Sequence, residues 1–251
     1  MRRERIEVKF TIHHCPFTSL LSRFTLKSKV MQAFTEPTNI TATDTLPVME
    51  AFYTLQGEGM HQGKAAYFIR LGGCDVGCVW CDVKESWDRN AHPVKPVSHI
   101  VEDALKAIPH GIGRVPKKPL IAVITGGEPL MHNLETLTIA LQQAGFLTHI
   151  ETSGSSSLSG RWDWICLSPK KFKAPLPGIL PLANELKIII YNKSDFTWAE
   201  QFAAQVSSHC KLYLQPEWSK AAQMTPQIIA YIKQNPQWEL SLQVHKYINI
   251  P

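Results

Sequence analysis

No apolar run in this sequence approaches the roughly 18 residues that a helix needs to span a bilayer, and the N-terminus has no uninterrupted apolar core of the secretory kind. A membrane protein is therefore not expected, and a cytoplasmic one is. Net charge is also scarce outside the front of the chain. Seven of the 26 basic residues and two of the 21 acidic ones fall in residues 1–30, which leaves 19 of each sign in the remainder. A neutral body lacks the electrostatic footprint of a duplex binder, so direct nucleic-acid binding is not expected. Cysteine is sparse too, with six in 251 residues, and three of the six crowd into Cys74–Cys81. That spacing does not suit a disulfide framework in a chain this large. It suits a set of ligands, with Cys15, Cys166 and Cys210 as bystanders. Internal repeats and low-complexity tracts are absent.

What is present is an ordinary globular composition, 44% hydrophobic and 19% charged, enough for one α/β domain with a single core. Residues 1–47 show little periodicity and end in a Thr/Asn/Pro-rich run. They read as a flexible N-terminal extension or as a start assigned too early, with Met31 as the alternative start. The catalytic domain is expected over 48–251. There, strand patterns at 66–71, 120–125, 147–151, 164–167, 185–191, 211–215 and 240–246 alternate with helical patterns at 98–108, 134–144, 196–206 and 226–234. The rhythm predicts parallel strands with crossover helices, barrel-like or doubly wound. Functional loops then lie beyond the C-terminal strand ends.

Cys74, Cys78 and Cys81 follow a predicted strand in one short loop. Three cysteines on a four-iron cube leave one iron without a protein ligand and open to an incoming molecule, whereas a fourth would close the cluster. A Cys₃His zinc site borrowing His61, His92 or His99 is the alternative. The second motif, Thr125-Gly126-Gly127-Glu128-Pro129, ends an apolar strand. Its glycines let a ligand approach the backbone, and Glu128 can hold an ammonium group. Alone, it reads better as a strand-to-helix turn with a solvent-facing acid.

The pairing of these motifs resembles the radical S-adenosylmethionine superfamily. The flanking segments 54–59, 68–70, 81–84, 151–154, 168–170 and 243–247 narrow the resemblance to the 7-carboxy-7-deazaguanine synthase family, from about Met49 to Pro251. That resemblance implies a partial (β/α) barrel and a 4Fe-4S cluster on Cys74, Cys78 and Cys81. It implies S-adenosyl-L-methionine contacts from Gly126, Gly127, Glu128, Ser153, Ser168, Pro169 and Lys170, although Ser168-Pro169-Lys170 by itself is an ordinary strand-end turn. Substrate contacts are implied for Leu55, Gln56, Gly57, Arg70 and Thr125, with Pro251 closing the pocket. Read physically, the Arg70 guanidinium suits a carboxylate or a plain ion pair. Gln56 and Glu58 between glycines suit the donor-rich edge of a pterin, or form a simple turn. His245 is added to the substrate set, though a lone histidine near a C-terminal strand is more often structural.

The implied reaction converts 6-carboxy-5,6,7,8-tetrahydropterin to 7-carboxy-7-deazaguanine with loss of ammonia, in queuosine or deazapurine biosynthesis. It is driven by a 5′-deoxyadenosyl radical that is regenerated. A low-potential donor such as flavodoxin or ferredoxin and a homodimer are implied as partners. Mg²⁺ is implied as well, but many members carry Thr or Ser where this chain has Val83, which offers no oxygen. The competing readings are a glycyl-radical activating enzyme and a non-catalytic zinc module.

Overall fold

The computed structural model describes residues 44–109 and 119–251. Residues 1–43, with Cys15 and Met31, lie outside the described residues, as do residues 110–118. The described chain builds one nine-stranded sheet: β1 (Thr45–Leu55), β2 (Ala65–Leu71), β3 (Val94–Pro96), β4 (Leu120–Gly126), β5 (Phe146–Thr152), β6 (Trp164–Leu167), β7 (Glu185–Ile190), β8 (Lys211–Pro216) and β9 (Trp238–Leu240). Five α-helices accompany it: α1 (Val97–Ala107), α2 (Glu135–Gln143), α3 (Ser194–Ala203), α4 (Ala221–Gln234) and α5 (Val244–Ile248).

The strand order is β3-β1-β2-β4-β5-β6-β7-β8-β9. β1 runs antiparallel to β2 and β3, and every neighbouring pair from β2 through β9 is parallel. Each successive parallel strand adds to the same side, whereas a doubly wound sheet reverses direction at a switch point. The sheet is therefore wound like a barrel and left unclosed, a partial (β/α) barrel as the resemblance implies.

Strand burial explains the sequence pattern. In β7, Leu186, Ile188 and Ile190 face the helices and are fully buried, while Glu185 and Lys187 alternate with them on the concave face. The main core lies between the convex face and the helices. Ile100 and Ala104 of α1, Leu137 and Leu141 of α2 and Met224 and Ile228 of α4 pack there against Ile124, Ile150 and Leu167. Full burial of one such leucine stabilises by roughly 1.5–3 kcal/mol. The concave face has only a small apolar cluster of its own, Ala66, Phe68, Ile121 and Val123 against Phe52.

Four segments differ from the sequence expectation. A strand over 240–246 is replaced by β9 and by α5, because Val244, Tyr247 and Ile248 carry helical spacing and Gly57 accepts the Val244 N–H. The helix expected from Pro226 begins at Ala221, since burial of Met224 extends its apolar face past the proline. β1 and β3 were not expected. Pro47 and a register shift between Val48 and Glu50 break the two-residue alternation of β1, and β3 is only three residues long.

Candidate active site

The cysteine loop leaves the C-terminal end of β2 and is tied down by backbone bonds. Gly73 N–H donates to the Ser86 carbonyl (2.6 Å) and Cys74 N–H to that of Trp87 (3.2 Å). Beside it, the end of β4 is stitched to the same stretch. Gly127 N–H donates to Leu71 O (2.9 Å) and Glu128 N–H to Gly73 O (2.8 Å). This contact admits only glycine. Gly126 sits at φ +117°, and a Cβ on Gly127 would lie 2.1 Å from the Gly73 oxygen.

Cys74, Cys78 and Cys81 are free thiols at one wall of a cleft of about 680 Å³. A backbone N–H reaches one of the sulfurs: that of Val83 donates to Cys81 Sγ (3.4 Å). Such N–H···S bonds suit cluster sulfurs, whose potential they tune. Burial pushes the Cys78 thiol up to about 11, and it raises Cys74 also. A metal centre therefore has to stabilise the thiolates. Among the described residues, no three His, Cys, Asp or Glu side chains converge closely enough for one metal ion. A cube takes each thiolate at a different iron and needs wider spacing, so the donor set fits it better than a single zinc. The candidate zinc histidines are also elsewhere. His61 packs on His149 and Trp164 (ring centroids 4.5 Å in each case), His92 Nε2 bonds the Glu85 carbonyl, and His99 is exposed on α1.

The same cleft is lined by Leu55, Gln56, Gly57, Glu58, Arg70, Thr125, Gly126, Gly127, Glu128, Ser153, Ser168, Lys170, His245 and Pro251. Pro169 is buried behind it and is not part of the lining. Glu128 does not face solvent. Its carboxylate accepts from Leu130 N–H (3.0 Å), Thr152 Oγ1 (2.5 Å), Ser153 N–H (2.8 Å) and Ser153 Oγ (2.5 Å), which ties the ends of β4 and β5 together. Lys170 Nζ donates to both oxygens of Ser168, and burial draws its pKa down despite the neighbouring Cys78. Arg70 pairs with Glu50 at 3.0 Å and lies over the Phe52 ring. The Pro251 carbonyl accepts from Thr54 Oγ1 (3.4 Å).

A buried polar group forms the floor. Lys187 Nζ is ion-paired with Glu58 and Glu151, Gln56 Nε2 donates to Glu151 (2.8 Å), and Gln243 Nε2 donates to Glu58 (3.0 Å). Burial alone would raise the Glu58 pKa, but Lys187, Gln243 and His245 together hold it down at about 2. Burial likewise opposes the charge on Lys187, and the surrounding acids keep it protonated. Sequence reasoning assigned no role to Lys187, Glu151 or Gln243. The signal for Lys187 was a charged residue at an alternate position of the Ile-rich run in β7.

The donor set does not fit the implied Mg²⁺. Val83 has no side-chain oxygen, and Asp82 Oδ2 is engaged by Lys246 Nζ (2.8 Å) and Gln243 Nε2 (3.4 Å).

Several known proteins are similar to this chain, although no family model matches it. A 7-carboxy-7-deazaguanine synthase of Flavobacterium psychrophilum is 53% identical over 206 residues, spanning 82% of this chain and 93% of that one. The Synechocystis protein of the same name is 50% identical over 208 residues, 83% and 95% of the two chains. The Escherichia coli K12 protein, again of that name, is 35% identical over 221 residues, 81% and 98%. Among solved structures, QueE from Escherichia coli matches with a TM-score of 0.67 at 30% identity, over 80% of this chain and 95% of that one.

Proposed function

Because this chain belongs to the 7-carboxy-7-deazaguanine synthase family, we propose that it converts 6-carboxy-5,6,7,8-tetrahydropterin to 7-carboxy-7-deazaguanine with loss of ammonia, acting as a lyase in deazapurine biosynthesis. The observation that carries this reading is the shared cleft. The three cysteines, the Gly126–Glu128 strand end and the Gln56–Glu58 turn all line it. When bound, a 4Fe-4S cluster on Cys74, Cys78 and Cys81 and S-adenosyl-L-methionine supply the one-electron chemistry.

The chain's own residues bind, orient and exclude water. The Gly126-Gly127 backbone, Ser153, Ser168 and Lys170 surround the S-adenosyl-L-methionine position, with Pro169 holding the Ser168–Lys170 turn from behind. Glu128 fixes the β4 and β5 ends that carry Thr125 and Ser153. Gln56, Glu58 and Glu151 present acceptors towards the amino-substituted edge of the pterin, and Lys187 balances their charge. Leu55, Gly57, Thr125 and His245 complete the substrate wall, and Arg70 offers its fork to the carboxylate arm. Pro251 sits at the rim. A low-potential flavodoxin or ferredoxin as electron donor, a homodimer and a cytoplasmic setting complete the proposal.

The cluster assignment is tested by iron and acid-labile sulfide analysis after anaerobic reconstitution. Cys74→Ala, Cys78→Ala and Cys81→Ala should each lose the cluster, whereas Cys166→Ala and Cys210→Ala should keep it. Full iron and sulfide in any of the first three, or a single bound zinc in the parent, would contradict it.

A further inference from the structure

One wall of the cleft carries a cation that neither the resemblance nor the motif reading assigned. Lys246, in α5, extends from the C-terminal segment to the cysteine loop, where its Nζ lies 2.8 Å from Asp82 Oδ2, next in sequence to Cys81. The same ammonium sits over the face of Trp218, 5.0 Å from the ring centroid, and Trp218 packs edge-on against Tyr247. The side chain is only 21% exposed. Two independent partners thus fix one positive charge at the cleft surface, and an ammonium with three N–H donors that gives one to Asp82 keeps others available.

Arg70, His245 and Lys246 line the cleft together with Glu58 and Asp82. The cleft therefore offers two positive groups on the His245 side. The acids around it are already engaged: Glu58 with Lys187 and Gln243, Asp82 with Lys246 and Gln243, Glu128 with Thr152 and Ser153, and Glu151 with Gln56 and Lys187. A divalent ion there would have to share these carboxylates with their present cation and amide partners, and the Val83 side chain offers it no oxygen.

We propose that the Lys246 ammonium, held by Asp82 and Trp218, is the substrate-positioning cation that meets the carboxylate arm of the substrate together with Arg70, in the place of a divalent metal ion. The inference rests on the substrate assignment above. A charge-assisted bond to a carboxylate is strong enough that its loss weakens binding roughly tenfold or more.

The test uses the full-length, cluster-loaded protein. Substrate affinity is measured by equilibrium binding of the carboxypterin with EDTA and with Mg²⁺, product formation is followed in parallel, and Mn²⁺ binding to the substrate-bound protein is read by electron paramagnetic resonance. The parent should bind substrate equally well within about twofold in both buffers, and added Mn²⁺ should remain in its free, hydrated form. Lys246→Gln should raise the substrate dissociation constant and KM at least about tenfold with a smaller effect on kcat, and Lys246→Arg should restore most of the loss. A parent that binds substrate only with Mg²⁺ and takes up one Mn²⁺ per chain would overturn the proposal. So would a soluble Lys246→Gln with unchanged affinity. Lack of product in both buffers would count against the assigned reaction, while the two binding measurements on the parent still decide the role of Lys246.

Discussion

His61 and His149 share a packed aromatic group with Trp164 beneath the cleft, and burial draws both of their pKa values down to about 4. In the unfolded chain both titrate near 6.5. Between those values the unfolded chain binds more protons than the folded one, so stability is fully present above about pH 6.5 and falls as the pH drops towards 4. Thermal unfolding midpoints across this window should show the decline, and His149→Phe, which keeps an aromatic ring and removes one titration, should make it shallower. An unchanged slope would remove His149 from the explanation. Residues of this kind were poorly legible in the sequence. The cluster cysteines and the glycines of Thr125-Gly126-Gly127 stood out because their chemistry is local to a few positions. Lys187, Glu151 and Gln243 did not, because they meet only through the registers of β5 against β6 and of β6 against β7 and the return of the C-terminal segment, separations of 36 residues or more.

At the scale of elements, the junction between β4 and the cysteine loop has the least room. A methyl group on Gly127 would meet the Gly73 backbone at 2.1 Å, where no flexible side chain can give way. Gly127→Ala should therefore push the loop off the strand end. Circular dichroism should remain near that of the parent, while reconstituted iron falls severalfold. Normal iron incorporation in a folded Gly127→Ala protein would show that the contact does not position the loop. The parallel strands were readable because two-sided burial makes them nearly continuous apolar runs. The antiparallel β1 was not, since its bulge at Val48–Glu50 breaks the alternation that identifies a strand. The C-terminal segment misled for the opposite reason: its β-branched and aromatic residues favour a strand, and packing against the Gly57 loop makes it α5.

At the scale of the whole molecule, the relatives cover about four-fifths of this chain, and the described structure begins at Asp44, whose carboxylate accepts from Thr136 Oγ1 at 2.7 Å. Deleting residues 1–43 should leave the unfolding midpoint and turnover close to those of the full chain, whereas a deletion that also removes Asp44 and Thr45 should lower the midpoint through the lost anchor on α2. Collapse of the shorter deletion would make the leading segment part of the fold. The central claim is that one cleft joins a three-cysteine cluster to a pterin site. It is tested most directly by anaerobic incubation of the reconstituted, reduced protein with S-adenosyl-L-methionine and 6-carboxy-5,6,7,8-tetrahydropterin, with products read by mass spectrometry. The account predicts 7-carboxy-7-deazaguanine and ammonia in equal amounts, both absent with Cys78→Ala. Unchanged carboxypterin beside an intact, reducible cluster would contradict it.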